Sequence, residues 1–251
     1  MNLDGKRVVL TGGAGGLGSA IARRLSLAGA RVWLLDLDET RGKALAAEIS
    51  ADCPDDRIRF TRCDLQVRSE IDAVLDGVQA TWEGTDVLIN NAAIYPSKAF
   101  TDYTIDEYRQ VHQVNVEAAV VASRRVVAHM RAASWGRIIN ISSITFFGGF
   151  ANLAPYVMSK GSLIGLTRAL ATELGPDGIT VNAISPGAFP TAAEGIHPDP
   201  EQYARFVIDQ QAIKRRGTPA DVANLVGFLV SDESGFITGQ NINCDGGWFM
   251  R

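Results

Sequence analysis

Residues 7–18, RVVLTGGAGGLG, decide how the rest of the chain is read. Arg7–Leu10 is a short run of strand formers, and a helical pattern begins near residue 16. Between them stand Gly12, Gly13, Gly15 and Gly16, with Leu17 and Gly18 just inside the helical pattern. Glycine reaches positive φ and lets backbone come close to another group, so the run reads as a tight strand-to-helix turn. The helix N-terminus behind it offers free N–H groups and a partial positive charge, which suit a pyrophosphate. Glycines also build purely structural turns, so the meaning of this one depends on its surroundings.

Working outward, short strand-like runs alternate with helical patterns. The strands are expected at Arg7–Leu10, Arg31–Leu35, Ile58–Arg62, Val87–Asn90, Arg137–Ile141, Thr180–Ile184 and Asn241–Asn243. Helical patterns lie near 16–28, 39–50, 69–82, 105–131, 155–174 and 219–230. Continuous apolar runs such as VWLL and VLI suit strands buried on both faces of a parallel sheet. The alternation argues for a doubly wound α/β fold: a parallel seven-stranded Rossmann sheet with helices on both faces. No linker, repeat or low-complexity segment interrupts it, so 1–251 is expected to be one domain. One stretch breaks the rhythm. Residues 188–218 hold Pro190, Pro198 and Pro200, with a short helix expected around 201–211. Ligands of open α/β sheets bind beyond the carboxyl ends of the strands, so an insertion at about 188–216 reads as a substrate lid. A surface excursion without a role is the plainer alternative.

Composition removes several classes of function. The chain has 251 residues, 46% hydrophobic and 21% charged, with a formal net charge of -4. Nucleic-acid binders carry a concentrated basic surface, and none is expected here; Lys214, Arg215 and Arg216 read as a solvated loop before the next helix. MNLDGKRVVL lacks the apolar core of a signal peptide, and no run of about 18 apolar residues predicts a membrane helix. Cys53, Cys63 and Cys244 are odd in number and far apart, which argues against a disulfide framework or zinc site and fits a reducing cytoplasm. His112, His129 and His197 share no metal-ligand spacing, so no metal is expected.

Two further features carry chemistry. Asp36 ends the second strand, 24 positions beyond Gly12. A carboxylate there accepts hydrogen bonds from ribose hydroxyls and repels a 2′-phosphate. Leu37 follows where a phosphate site would want a base, so NAD is favoured over NADP. An ordinary strand-end cap is the alternative for Asp36. Tyr156 and Lys160 stand four apart on a strongly helical segment, on one face, with Cβ atoms roughly 5–6 Å apart. A nearby ammonium favours the phenolate, and a tyrosine poised nearer neutrality serves as general acid or base. Ser143 lies just past the fifth strand, where its hydroxyl could bond a substrate oxygen.

With TGGAGGLG at 11–18, Asp64, NNAA at 90–93, Asn115, ISS at 141–143, YVMSK at 156–160, SPG at 185–187 and ITGQ with DGGW near the C-terminus, the chain resembles the short-chain dehydrogenase/reductase family nearly end to end. The resemblance is to its single-domain branch. It implies that Tyr156 exchanges a proton with the reacting oxygen and that Ser143 orients that oxygen. Lys160 would bind the nicotinamide ribose and lower the tyrosine pKa, while Asn115 would hold a water linking Lys160 to solvent. Gly12, Gly15, Gly16, Leu17, Gly18 and Asp36 with Leu37 would form the cofactor cradle. Asp64 and Leu65 would flank the adenine, Asn91 would support the cofactor from the fourth strand, and Phe189 and Thr191 would lie by the nicotinamide. A homotetramer is implied through two long helices and the C-terminal strand. Two departures stand out. Ala93 replaces the family's glycine, which is tolerable in extended backbone and strained at positive φ. The bulky AFPT at 188–191 follows SPG.

The substrate side is expected from Tyr95, Ser143, Thr145, Phe147 and Tyr156, with Ile94, Pro96, Ile144, Phe146, Phe150, Phe189 and the lid around them. That set is apolar and aromatic, which suits an aryl or alicyclic alcohol or ketone; packing of the lid or of a subunit contact would need the same residues. The segments around 94–96, 135–140, 145–149 and 164–175 resemble family members acting on aromatic secondary alcohols and on pyridoxal. The expected activity is therefore an NAD-dependent alcohol dehydrogenase or ketone reductase acting on a small molecule. A 3-oxoacyl thioester reductase is the first rival; it commonly prefers NADP and a basic surface for an acidic carrier, and Asp36 speaks against it. A non-catalytic NAD-binding protein is the second; loss of Tyr156, Lys160 or Ser143 would mark it, and all three are present.

Overall fold

The computed structural model describes residues 2–53, 57–191, 194–195 and 199–250. The strands are β1 Arg7–Thr11, β2 Arg31–Asp36, β3 Ile58–Arg62, β4 Val87–Asn90, β5 Gly136–Ile141, β6 Ile179–Pro186 and β7 Asn241–Cys244. All pairings are parallel, in the order β3-β2-β1-β4-β5-β6-β7. The chain winds outward one way from β1 and the other way from β4, so the crevice between their carboxyl ends is the topological switch point.

The helices are α1 Gly16–Leu27, α2 Glu39–Asp52, α3 Arg68–Trp82, α4 Ile105–His112, α5 Ala118–Ala132, α6 Thr145–Gly148, α7 Ala154–Leu174, α8 Pro200–Gln210 and α9 Pro219–Val230. Strand side chains alternate between two cores. Val8, Leu10, Val32, Leu34, Val87 and Ile89 pack with residues of α1, α2 and α9. Val9, Trp33, Leu35, Leu88 and Ile138 pack with α3, α5 and α7. Each such side chain withdrawn from water contributes about 1.5–3 kcal/mol, which explains why these runs are apolar throughout.

The helix expected over 105–131 is interrupted. Residues Gln113–Glu117 form one π turn between α4 and α5. Such widened turns gather at functional positions, and this one carries the buried Asn115. The expected solvated basic loop also needs correction. Lys214 and Arg215 are exposed, but Arg216 is largely enclosed, ion-paired with Glu194 and close to the carbonyl of Ala188. His112 is exposed, His129 lies half-buried against Arg7 and Asp86, and His197 lies outside the described residues. Among the described residues no group of three or more His, Cys, Asp or Glu could hold a metal ion, and no helix is long and apolar enough to cross a membrane.

Candidate active site

At the end of β1 the turn is held open by hydrogen bonds and kept bare by sterics. Thr11 Oγ1 accepts from the backbone N–H groups of Asn91 (3.0 Å) and Ala92 (3.2 Å). Asn91 Nδ2 donates to the carbonyls of Thr11 (3.0 Å) and Gly12 (2.9 Å). β4 is thus stitched to the glycine turn. Gly12 has φ +64°, and a Cβ on Gly18 would lie 2.1 Å from the Gly12 carbonyl oxygen. Gly15 caps α1 without a side-chain bond, and the first turn carries no acidic residue. The leading N–H groups of α1, at Gly16, Leu17 and Gly18, are therefore left for an anion. Ala93 is not among the residues with positive φ, so its methyl brings no backbone strain.

Asp36 faces this turn. Its carboxylate accepts from the N–H groups of Ala14 (2.9 Å) and Asp38 (3.0 Å), leaving lone pairs for further donors. Leu37 beside it is exposed. Asp64 accepts from the N–H of Gln66 (2.9 Å), and Leu65 packs on the core below. Thr191 stands over the glycine turn, since a Cβ on Gly16 would lie 2.7 Å from its Cγ2. The Phe189 side chain is buried in the core with Val222 and Ala223, against Gly217. Large aromatics after SPG are thus accommodated by burial. The bare turn, the uncapped helix and the Asp36 carboxylate fit a nicotinamide dinucleotide.

The second half of the cleft is built from β5, α6 and α7. Pro155 at the start of α7 presets the helical φ, and the next residue is Tyr156. One turn later Lys160 is buried, with Nζ donating to the carbonyl of Ile141 (2.7 Å). Ser142 returns the tie, its hydroxyl donating to the carbonyl of Lys160 (2.8 Å). Deeper down, Asn90 donates to Asn140 (2.8 Å) and Asn140 to Thr167 (2.9 Å), all buried. Low polarity strengthens such bonds, so α7 is fixed to the strand ends. Ser143 is buried beside the Tyr156 phenol, whose pKa it pulls down; its Oγ is bonded by Thr145, at 3.1 Å from the backbone N and 3.0 Å from Oγ1.

Asn115 clamps the adjoining loop. Its Oδ1 accepts from the N–H of Ile94 (2.9 Å), and its Nδ2 donates to the Ile94 carbonyl (3.0 Å) and to Ser159 Oγ (3.0 Å). Both amide protons are committed. The clamp fixes the backbone next to Tyr95, whose ring lies edge-on to Tyr156 with centroids 6.1 Å apart. Thr11, Ser142 and Ser159 were not singled out from sequence; only their contacts with distant residues reveal them.

The electrostatics correct the expectation that Lys160 lowers the Tyr156 pKa. Burial pushes the phenol up to about 12, with Ser143 pulling the other way and Tyr95 adding to the rise. Burial brings Lys160 down to about 7. Desolvation disfavours both charged forms. Nζ lies 5.5 Å from the centre of the Tyr156 ring and spends a proton on Ile141, so in this state loss of water outweighs the attraction between the pair.

The aromatic side is wider than expected. Phe147 and Phe150 lie after Ser143, and Phe150 meets Trp248 edge-on at 6.0 Å. Trp248 meets Phe206 of α8 at 5.8 Å and stacks on Phe249 at 6.0 Å. Phe206 stacks with Tyr203 at 6.3 Å. The C-terminal turn that carries Trp248 is set by Asp245, which accepts from the N–H groups of Gly247 and Phe249, both at 2.9 Å. Phe146 instead lies against Gly161 of α7.

Comparison with known proteins agrees with this geometry. Residues 12–249 match a family model described as enoyl-(acyl carrier protein) reductase. The chain is 36% identical over 245 residues to a 3-alpha-(or 20-beta)-hydroxysteroid dehydrogenase of Mycobacterium bovis, covering 98% of this chain and 90% of the relative. It is 33% identical over 246 residues to a cyclopentanol dehydrogenase of Comamonas testosteroni, covering 98% of each. The 3-ketoacyl-(acyl-carrier-protein) reductase of Brucella melitensis, solved with NADH, superposes with TM-score 0.91 at 27% identity, covering 99% of this chain and all of that one. A sheet of this order, a bare glycine turn at its switch point and end-to-end relatives of this kind lead to one conclusion: the chain belongs to the short-chain dehydrogenase/reductase family of oxidoreductases.

Proposed function

We propose that this protein is an NAD-dependent dehydrogenase or ketone reductase that interconverts a secondary alcohol and its ketone on an apolar, ring-bearing small molecule. The observation that carries the reading is the Ser143–Tyr156–Lys160 group at the carboxyl end of β5, facing a turn that fits a dinucleotide. When bound, a nicotinamide cofactor would supply or accept the hydride. The chain manages the oxygen and its proton. In ketone reduction Tyr156 donates its phenolic proton to the carbonyl oxygen while Ser143 donates a hydrogen bond to the same atom. In alcohol oxidation the phenolate takes the hydroxyl proton back. Lys160 is poised to change partner from Ile141 to a ribose hydroxyl, and a charged ammonium held there would lower the tyrosine toward working pH. Asn115 holds the Ile94–Tyr95 backbone that borders the reacting atoms.

Asp36 and exposed Leu37 support NAD, since a 2′-phosphate would meet the Asp36 carboxylate and position 37 offers it no base. The aromatic group from Tyr95 through Phe150, Trp248 and Phe206 supports an apolar substrate. A hydroxysteroid and a cyclic alcohol, in the relatives' names, point the same way. The 3-oxoacyl thioester reductase remains the second reading, favoured by the family model and the Brucella relative. The basic run that could meet an acidic carrier is already partnered within the chain: Arg216 is drawn inward to Glu194, while exposed Arg215 pairs with Asp221 and exposed Lys214 donates to backbone carbonyls of α8.

The chain is taken as one catalytic domain, with 188–216 as its substrate lid. A cytoplasmic setting accords with the unpaired thiols of Cys53, Cys63 and Cys244. A homotetramer is supported by an apolar groove between α5 and α7, lined by Val120, Val127, Leu166 and Leu170, and by the exposed ring of Phe236 near β7. The test is turnover of aryl, cyclic and polyol alcohols and of a hydroxyacyl thioester, each with NAD and with NADP. Turnover of ring-bearing alcohols with NAD is expected. Preference for the thioester or for NADP would favour the second reading.

A further inference from the structure

Given the reading of Ser143 and Tyr156 above, we propose that Thr145 is a positioning residue: its hydroxyl turns the Ser143 proton toward the reacting oxygen. The argument is a count of protons and lone pairs. A serine hydroxyl has one proton and two lone pairs. The Thr145 backbone N–H donates to Ser143 Oγ at 3.1 Å and occupies one lone pair. Thr145 Oγ1 lies 3.0 Å from the same oxygen.

Two arrangements are possible for that contact. If Ser143 donates to Thr145, its only proton points away from Tyr156, and a ketone oxygen would have one donor instead of two. If Thr145 donates to Ser143, both serine lone pairs are filled, and the serine proton has only the Tyr156 side left. The second arrangement alone gives a working site. It also forms a relay Thr145 O–H to Ser143 O–H to the oxygen, in which each bond polarises the next. The local chain keeps Thr145 beside Ser143. α6 begins at Thr145, and the hydrogen bonds of the Phe147 and Gly148 N–H groups to the Ile144 carbonyl and of Gly149 N–H to the Thr145 carbonyl hold the turn. Thr145 is therefore carried by backbone that is itself held in place. It acts through Ser143, which separates this role from direct substrate contact.

Two substitutions separate the hydroxyl from the bulk. Thr145→Val keeps the branched shape and the backbone N–H but removes the second donor. Thr145→Ser keeps the donor. Hydride transfer in a single turnover, read by nicotinamide absorbance with cyclopentanol and 1-phenylethanol as probes, is expected to slow about tenfold in Thr145→Val, with NAD affinity unchanged; loss of a direct donor to a reacting oxygen costs about 10²–10³, and this donor acts at one remove. Thr145→Ser is expected to restore the rate to within about twofold. A second readout needs no turnover. The phenolate absorbance of the NAD-bound protein, taken against Tyr156→Phe, should titrate about one pH unit higher in Thr145→Val and return in Thr145→Ser. Equal titration in Thr145→Val and the unaltered protein would overturn the proposal, as would equal losses in both variants, which would assign the effect to packing. Activity in Tyr156→Phe would instead sink the underlying mechanism, whatever Thr145 does.

Discussion

Between β1 and α1 the cleft is shaped by absent side chains, whereas between β5 and α7 it is shaped by side chains bonded on several sides. In the first region a single methyl on Gly18 would collide with backbone 2.1 Å away, and the binding groups are N–H donors of a helix end. In the second, Ser142, Ser143, Asn140, Ser159 and Lys160 are buried polar groups, each bonded to a partner from another element or turn. An anion is recognised by backbone that must come close, while a proton is moved by side chains that must not wander. The contrast teaches that the two regions should fail differently.

The largest effect should come from the side-chain region. Tyr156→Phe should lower turnover about 10³-fold, in the range for general acid–base groups, with NAD affinity within about twofold. Retained turnover, or binding lost together with activity, would erase the division between the two regions. Next comes the backbone region. Gly18→Ala should cost about 1–3 kcal/mol of stability through forced shifts and weaken NAD binding about 10- to 100-fold. Thermal unfolding and quenching titration measure both. Stability lost with NAD affinity intact would make the turn structural only.

The smallest effect sharpens the comparison through pH. In the ligand-free protein Lys160 sits at about 7, below its ordinary value of 10.5. Across that window the unfolded chain carries a proton that the folded chain lacks, so stability rises with pH, by at most about 1.4 kcal/mol per unit. Below the window the full penalty of burying the ammonium applies; above it the penalty is gone. Lys160→Met should flatten this slope in urea unfolding between about pH 7 and 9. An unchanged slope would mean that Lys160 keeps its charge despite burial.

The strands and most helices were legible because burial on two faces leaves continuous apolar runs, and helical faces repeat every three to four residues. Observed ends differ from the expected ones by at most two residues. Tyr156, Lys160 and Ser143 could be singled out because spacing and position after a strand are local facts. The π turn at Gln113–Glu117 was not legible, since its helical periodicity differs by only one residue per turn. Nor were Thr11 and Ser159, which look like any small polar residue until Asn91 and Asn115 come to rest on them. Arg216 read as solvated because its partner Glu194 is distant in sequence, and nothing local marks the burial of Phe189 beside α9.

By itself, then, the sequence determined the parallel α/β architecture, the bare glycine turn, the carboxylate at the end of β2 and the tyrosine–lysine pair on one helical face. These depend on residue type and period within a few positions. The tertiary structure decided which of those groups are stripped of water and which aromatics gather around Trp248. Those depend on the exclusion of water and on partners brought from the far side of the chain, and neither is written in the spacing of residues.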